Sequence, residues 1–255
     1  MTAKLQPRQV NSGFVTGSEE DGYCLQLDKL NEANYSLAQI DDYMDLPRRK
    51  FQHKPPMKFQ IEARLSDQTT PGTWGFGLWN DPFGMGFGGG GMSRILPVLP
   101  NAAWFFFGSD ENALTLRDDK PGEGFHVKTF RSPLLPSFVS LIGLPLAPLF
   151  LWPTTARILR GFGRSLVKED GMTLKVDVEI WHSYCLSWDD THADFCVDND
   201  QIFSTEVVPR GRLGVVIWID NQYFRFTRSG KLGFGFLPIQ EEQWMQVRNI
   251  SLEEK

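Results

Sequence analysis

Two short stretches set carboxylates among aromatic and amide side chains: Gln39-Ile40-Asp41-Asp42-Tyr43 and Trp79-Asn80-Asp81-Pro82-Phe83. A carboxyl beside Trp74, Trp79 and Phe83 loses part of its hydration, so its pKa rises and it becomes fit to serve as a general acid. Asp81, Asp41 and Asp42 are therefore the candidate catalytic groups. Trp74, Phe76, Trp79, Asn80, Phe83 and Tyr43 are candidate ligand contacts, joined by Trp104 and Trp181 from elsewhere in the chain. The competing reading of Asn80-Asp81-Pro82 is a plain turn, since these residue types favour turns. Hard oxygen ligands at either cluster would suit calcium, but the spacing matches no calcium loop. His53, His126, His182 and His192 form no i, i+4 pair. Neither a metal nor another cofactor is expected.

Strands must position these groups. Met57-Lys-Phe-Gln-Ile-Glu-Ala-Arg-Leu alternates apolar and polar residues with a period of two, the mark of a half-buried strand. Thr73-Trp-Gly-Phe-Gly-Leu-Trp puts Trp74, Phe76 and Leu78 on one side and Gly75 and Gly77 on the other, as close approach to a backbone requires. Further strands are expected at Tyr23–Asp28, Ser36–Tyr43, Ala102–Gly108, Ala113–Arg117, Thr173–Trp188, Ala193–Val197, Gln201–Thr205, Leu213–Asp220, Tyr223–Thr227, Leu232–Phe236 and Trp244–Leu252. Strands this frequent, with turn residues between them, predict an all-β, antiparallel two-sheet sandwich. Asp177 and Glu179 read as a solvated strand face, and Gly84–Met92 as a loop without phosphate-binding spacing. The whole chain, 1–255, reads as one domain carrying an insertion at 132–168.

That insertion is the oddest stretch. No charge occurs over 132–156, yet Pro133, Pro136, Pro145, Pro148 and Pro153 interrupt it. Each interior proline removes a helix hydrogen bond, so a continuous spanning helix is not expected. Short helices over 133–166 are, followed by a basic stretch with Arg157, Arg160, Arg164 and Lys168. Three roles stay open: a buried insertion, a lid over an apolar ligand, or contact with a membrane surface. Net charge is −5, which gives no basic footprint for nucleic acid. The N-terminus lacks the apolar core of a secretory signal. Cys24, Cys185 and Cys196 show no metal spacing and read as reduced thiols. A cytoplasmic protein, peripheral to a membrane at most, is the resulting expectation.

The stretch Trp181 to Thr205, WHSYCLSWDDTHADFCVDNDQIFST, resembles a passage of the concanavalin A-like jelly rolls. Laminarinase-type glucanases carry W-H-x-Y-x-x-x-W, a charged turn, then F-x-V-D-G. Here Trp181, His182, Tyr184, Trp188, Phe195, Val197 and Asp198 fill those positions, with Asn199 where glycine is frequent. Gly72 to Trp79 is similar to the family's G-x-W-x-A-x-W strand, and Trp244 to Leu252 to its closing strand. The resemblance implies a jelly roll with the ligand on its concave face. It also implies catalytic carboxylates as E-x-D-x-x-E or E-x-D-x-E just after the Trp strand, and no such triplet occurs between Leu78 and Thr115.

The leading functional reading is a jelly roll that binds a largely apolar small molecule, such as an isoprenoid, lipid or glycolipid. Acid–base isomerisation or cyclisation is open to its carboxylates, and aromatic walls would exclude water from such chemistry. The alternative is a carbohydrate-binding or glycoside-hydrolase-like protein. A second alternative is a non-catalytic membrane-associated protein.

Overall fold

The computed structural model describes residues 4–32, 34–82, 96–135, 152–227 and 229–254. Phe83 and the glycine-rich loop at 84–92 lie outside them, as do residues 136–151 of the apolar insertion. The strands are β1 (Gln6–Val10), β2 (Gly13–Ser18), β3 (Gly22–Leu27), β4 (Leu37–Asp41), β5 (Met57–Leu65), β6 (Thr73–Trp79), β7 (Ala102–Gly108) and β8 (Gly124–Arg131). After helix α1 (Pro153–Leu166) follow β9 (Lys168–Thr173), β10 (His182–Trp188), β11 (Ala193–Val197), β12 (Asp200–Thr205) and β13 (Gly214–Asp220). β14 (Gln222–Phe226), β15 (Leu232–Phe236) and β16 (Gln243–Glu254) complete the set.

Two seven-stranded antiparallel sheets face each other. One runs β1-β4-β13-β6-β7-β8-β9, the other β12-β11-β10-β5-β16-β3-β2. The expected all-β sandwich is therefore present. β5 shows how the sequence builds it: Met57, Phe59, Ile61, Ala63 and Leu65 are buried while the intervening residues are half-buried. From the other sheet Trp74, Phe76, Phe105 and Ile217 point into the same inter-sheet core. β14 and β15 form a separate hairpin.

Three expectations need correction. Residues 173–181 alternate, but only Thr173 belongs to a strand. The segment crosses from one sheet to the other, so it cannot stay in either ladder. Leu174 and Val178 are nonetheless buried in the core, and the Leu65 amide donates to the Val178 carbonyl. Ala113–Arg117 is also not a strand; Ala113 makes one isolated bridge, to Arg225. Third, β8, β9 and the N-terminal pair β1 and β2 are not among the expected strands. β8 is buried at five consecutive positions, Phe125 to Thr129, although His126 and Lys128 alternate with Phe125 and Val127.

Among the described part of the insertion, α1 is the helix the sequence predicts. No helix of the described residues is long and apolar enough to cross a membrane. The three cysteines are free, and Cys185 stands directly opposite Cys196 across β10 and β11.

Candidate functional site

The first sheet has a second apolar face, turned away from the core. Register defines it strand by strand. Gln39 pairs with Trp218, Trp218 with Gly75, Gly75 with Phe106, and Phe106 with His126. One step along, Asp41 pairs with Val216, Val216 with Gly77, Gly77 with Trp104, and Trp104 with Lys128. Side chains alternate along a strand, so these residues share one side. They form an apolar cluster distinct from the inter-sheet core, built on Tyr43, Phe51, Trp104, Phe106 and Trp218, with Trp79 and Phe130 at half-buried positions.

Tryptophans dominate this floor. Trp79 lies parallel to Trp218 at 6.2 Å between ring centroids, and Trp104 sits 5.7 Å from each. The glycines of β6 make room for this cluster. A Cβ at Gly75 would come within 2.7 Å of the Trp218 ring. What approaches the bare backbone is therefore the protein's own indole. Trp79 Nε1 donates to the Tyr43 hydroxyl at 2.6 Å, and Gln39 Nε2 donates to Asp41 at 2.7 Å.

Two carboxyls on this face are held from water. Burial raises the pKa of Asp41 against its bonds from Gln39 and the Tyr43 amide. Asp220, at the end of β13, is pushed up to about 7 by burial, although the Thr73 hydroxyl donates to it at 2.7 Å. Thr73 in turn accepts from Trp218 Nε1 at 3.0 Å. Asp41 stands opposite Val216, and Asp220 is four residues further along the same strand. Their Cα atoms are thus roughly 14 Å apart at standard strand spacings. Side chains stand roughly perpendicular to a sheet, so the two carboxyls keep a separation of about that order, wider than the roughly 5 to 9.5 Å of glycosidic carboxyl pairs.

Further along, Lys128 is buried, and burial lowers its pKa to about 8 against the attraction of Glu169. Its ammonium donates to the carbonyls of Leu114 and Pro121 at 2.6 and 2.7 Å. Glu169 accepts from the Leu116 amide and the Thr115 hydroxyl, so this pair ties down the loop after β7. His126 is fully buried, and burial together with the Lys128 charge lowers its pKa to about 3. The ring is neutral. Nδ1–H donates to the Gly124 carbonyl at 2.9 Å, which leaves Nε2 as an acceptor. Among the described residues, neither His126 Nε2 nor Trp104 Nε1 has a hydrogen-bond partner. The pairing register makes these residues diagonal neighbours, with Cα atoms about 7–8 Å apart. Trp74 and Trp188 also have unpartnered indole nitrogens, but in the inter-sheet core.

The sequence-predicted residues divide accordingly. Tyr43, Trp79, Trp104 and Asp41 come together on the aromatic face. Trp74 and Phe76 lie on the opposite side of β6, fully buried between the sheets. Asp42 is buried and points elsewhere: it accepts from the Val215 amide at 2.8 Å and meets His53 Nε2 at 2.5 Å. Asn80 bonds the Leu99 carbonyl and the Asn101 amide, closing the end of the β6–β7 connection. Asp81 has φ +48°, and its carbonyl accepts from Arg48 Nε and Nη2, as a turn residue does. Trp181 immediately precedes β10 of the other sheet, with the Arg64 and Arg248 guanidiniums over its ring at 5.0 and 4.2 Å. Among the described residues no three His, Cys, Asp or Glu side chains converge as a metal site would need. Sequence reasoning missed His126, Trp218 and Asp220 as parts of the face. Trp218 and Asp220 alternate with Ile217 and Ile219, so the period of two already separated them from the core.

This architecture is the concanavalin A-like jelly roll. No family model matches the chain, and no curated protein matches it in sequence. Among solved structures it is similar to a glycoside hydrolase family 16 endo-glucanase from Bacteroides ovatus, with a TM-score of 0.50 and 9% identity over 99% of this chain and 96% of that one. A β-glucanase from Bacillus licheniformis gives 0.48 and 9%, covering 100% and 94%. The laminarinase catalytic domain of Thermotoga petrophila gives 0.46 and 14%, covering 96% and 81%. At these identities the likeness is one of fold. On β7, the strand after the Trp strand, the outward residues are Ala102, Trp104, Phe106 and Gly108. None of them is a carboxylate.

Proposed function

We propose that the aromatic face of the first sheet binds a carbohydrate, and that it does so without two-carboxylate hydrolysis. One observation carries the reading: among the described residues nothing accepts from Trp104 Nε1–H and nothing donates to His126 Nε2, and both atoms are buried on a face floored by three tryptophans. Leaving a buried donor or acceptor unmade costs about 1–3 kcal/mol. A sugar supplies what this face lacks, since each hydroxyl both donates and accepts and each pyranose has an apolar side that stacks on an aromatic ring. The roughly 14 Å between Asp41 and Asp220 is too wide for either glycosidic geometry.

A second reading draws on Asp220. A carboxyl with a pKa near 7 in an apolar setting is partly protonated at neutral pH, which suits acid chemistry on an apolar isoprenoid or lipid. One titration separates the two. Tryptophan fluorescence is followed with laminari- and cello-oligosaccharides and, in parallel, with farnesol and oleate. Saturable change with the sugars, weakened about five- to tenfold in Trp104→Phe by loss of one hydrogen bond, supports carbohydrate binding. Response to the lipids alone would overturn it, as would release of new reducing ends from the oligosaccharides.

A further inference from the structure

We infer that α1 is an interfacial helix that docks the protein on an anionic lipid bilayer. Its inner face is fixed by Arg160, whose guanidinium reaches Asp118 at 2.7 Å and the Thr115 carbonyl at 3.0 Å. Residues two positions either side of Arg160 are turned about 200° away, since each helical residue advances by about 100°. Those residues are Ile158 and Phe162, and they are 68% and 63% exposed. Trp152, at the helix N-cap, is 59% exposed. Ile158 and Phe162, one turn apart, form an outward apolar stripe on the helix, and Trp152 adds apolar surface at its start.

Cations flank the stripe. Arg157 and Lys168 are exposed, Arg164 shares the Arg160 side of the helix and reaches Asp118 at 3.5 Å, and no acidic residue occurs in sequence from Arg131 to Lys168. At the far end, Arg131 pairs with Lys168 across β8 and β9. Three and four residues beyond Arg131 come Leu134 and Leu135, 63% and 45% exposed. The chain as a whole carries −5, so this face opposes the sign of the rest. Apolar side chains with Arg and Lys beside them, on a helix too short to span, define a segment that lies in the plane of a headgroup layer. α1 is about 21 Å long at 1.5 Å per residue. A second copy of the chain is a poorer occupant, because it would set Arg157 and Lys168 against their own like charges.

The test is vesicle co-sedimentation of the full chain. Phosphatidylcholine vesicles are used with and without phosphatidylglycerol, at low and high salt. The expected result is binding to the anionic vesicles only, weakened by salt. Ile158→Glu with Phe162→Glu should abolish it while leaving the melting temperature unchanged, since both side chains are exposed. Arg157→Gln and Lys168→Gln should each weaken it about fivefold. Absence of binding, equal binding to neutral vesicles, or unchanged binding by the glutamate variant would each overturn the inference. So would a dimer of the native chain in sedimentation velocity that the glutamate variant turns into monomer, which would assign the face to self-association.

Discussion

Replacing Asp220 by asparagine isolates the cost of burying its charge. The side chain accepts from Thr73 and lies among Trp218, Thr73 and the start of β14, with its pKa raised by burial from 3.8 to about 7. A raised acid binds its proton more tightly in the folded than in the unfolded chain. Its stabilising contribution is therefore complete below about pH 4 and is lost as the pH climbs to about 7. At 1.36 kcal/mol per pH unit, the interval corresponds to about 4 kcal/mol, a large part of the 5–15 kcal/mol typical of a domain. Asp220→Asn keeps the shape and the oxygen that Thr73 bonds, but it does not titrate. Urea unfolding of both proteins from pH 3 to pH 8 reads the difference. The variant should gain on the native chain by about 4 kcal/mol across that range, with the change confined between pH 4 and 7. A difference that stays flat would refute the reasoning, because it would mean that Asp220 ionises as an ordinary exposed carboxylate does.

Asp42→Asn should destabilise by about 3–5 kcal/mol, as breaking a buried charged pair does. Burial pulls the His53 pKa down, but its bond and attraction to Asp42, helped by Glu254, leave it above 6.5. The pair's contribution is present at low pH and lost as pH rises through that raised value, so the penalty should shrink in alkaline melts. Trp74→Ala should cost about 3–5 kcal/mol through the cavity it leaves, yet leave ligand affinity per folded molecule unchanged, as calorimetric titration at matched folded fractions would record. Because Asp81 holds φ +48°, Asp81→Val should be less stable than Asp81→Gly by about 1–2 kcal/mol, measurable as a difference in melting temperature.

Period-two alternation was enough to read β5, β6, β7, β11 and β15 from the sequence to the residue, because each carries its own contrast between faces or a compact apolar run bounded by turn residues. The expected strands did not include β8, although His126 and Lys128 alternate there with Phe125 and Val127, and alternation misled at 174–181, where a crossover keeps the pattern of a strand without its partners. The aromatic face was half legible. Tyr43, Trp79 and Trp104 could be nominated by type, and Asp41 by its neighbours. Which side of β6 would hold the core could not be read from Trp74 and Phe76, since an apolar strand in a sandwich looks the same whether its aromatic row faces a ligand or the second sheet. His126 joined the face only through its pairing with Phe106, a relation between residues far apart in sequence that no local pattern encodes.

On β7 the consecutive residues Trp104, Phe105, Phe106 and Phe107 serve two masters. Phe105 and Phe107 belong to the inter-sheet core, Trp104 and Phe106 to the outer cluster. A backbone that deals neighbouring side chains to separate compartments lets selection act on each compartment alone. Substitutions at alternate positions can change what the outer surface recognises without disturbing the packing between the sheets. The same strand offers a designer a place to graft new recognition, one that starts from an existing scaffold and leaves half of its residues alone. Such modularity at single-residue resolution is one physical reason why sequences only 9% identical can share a sandwich of this kind.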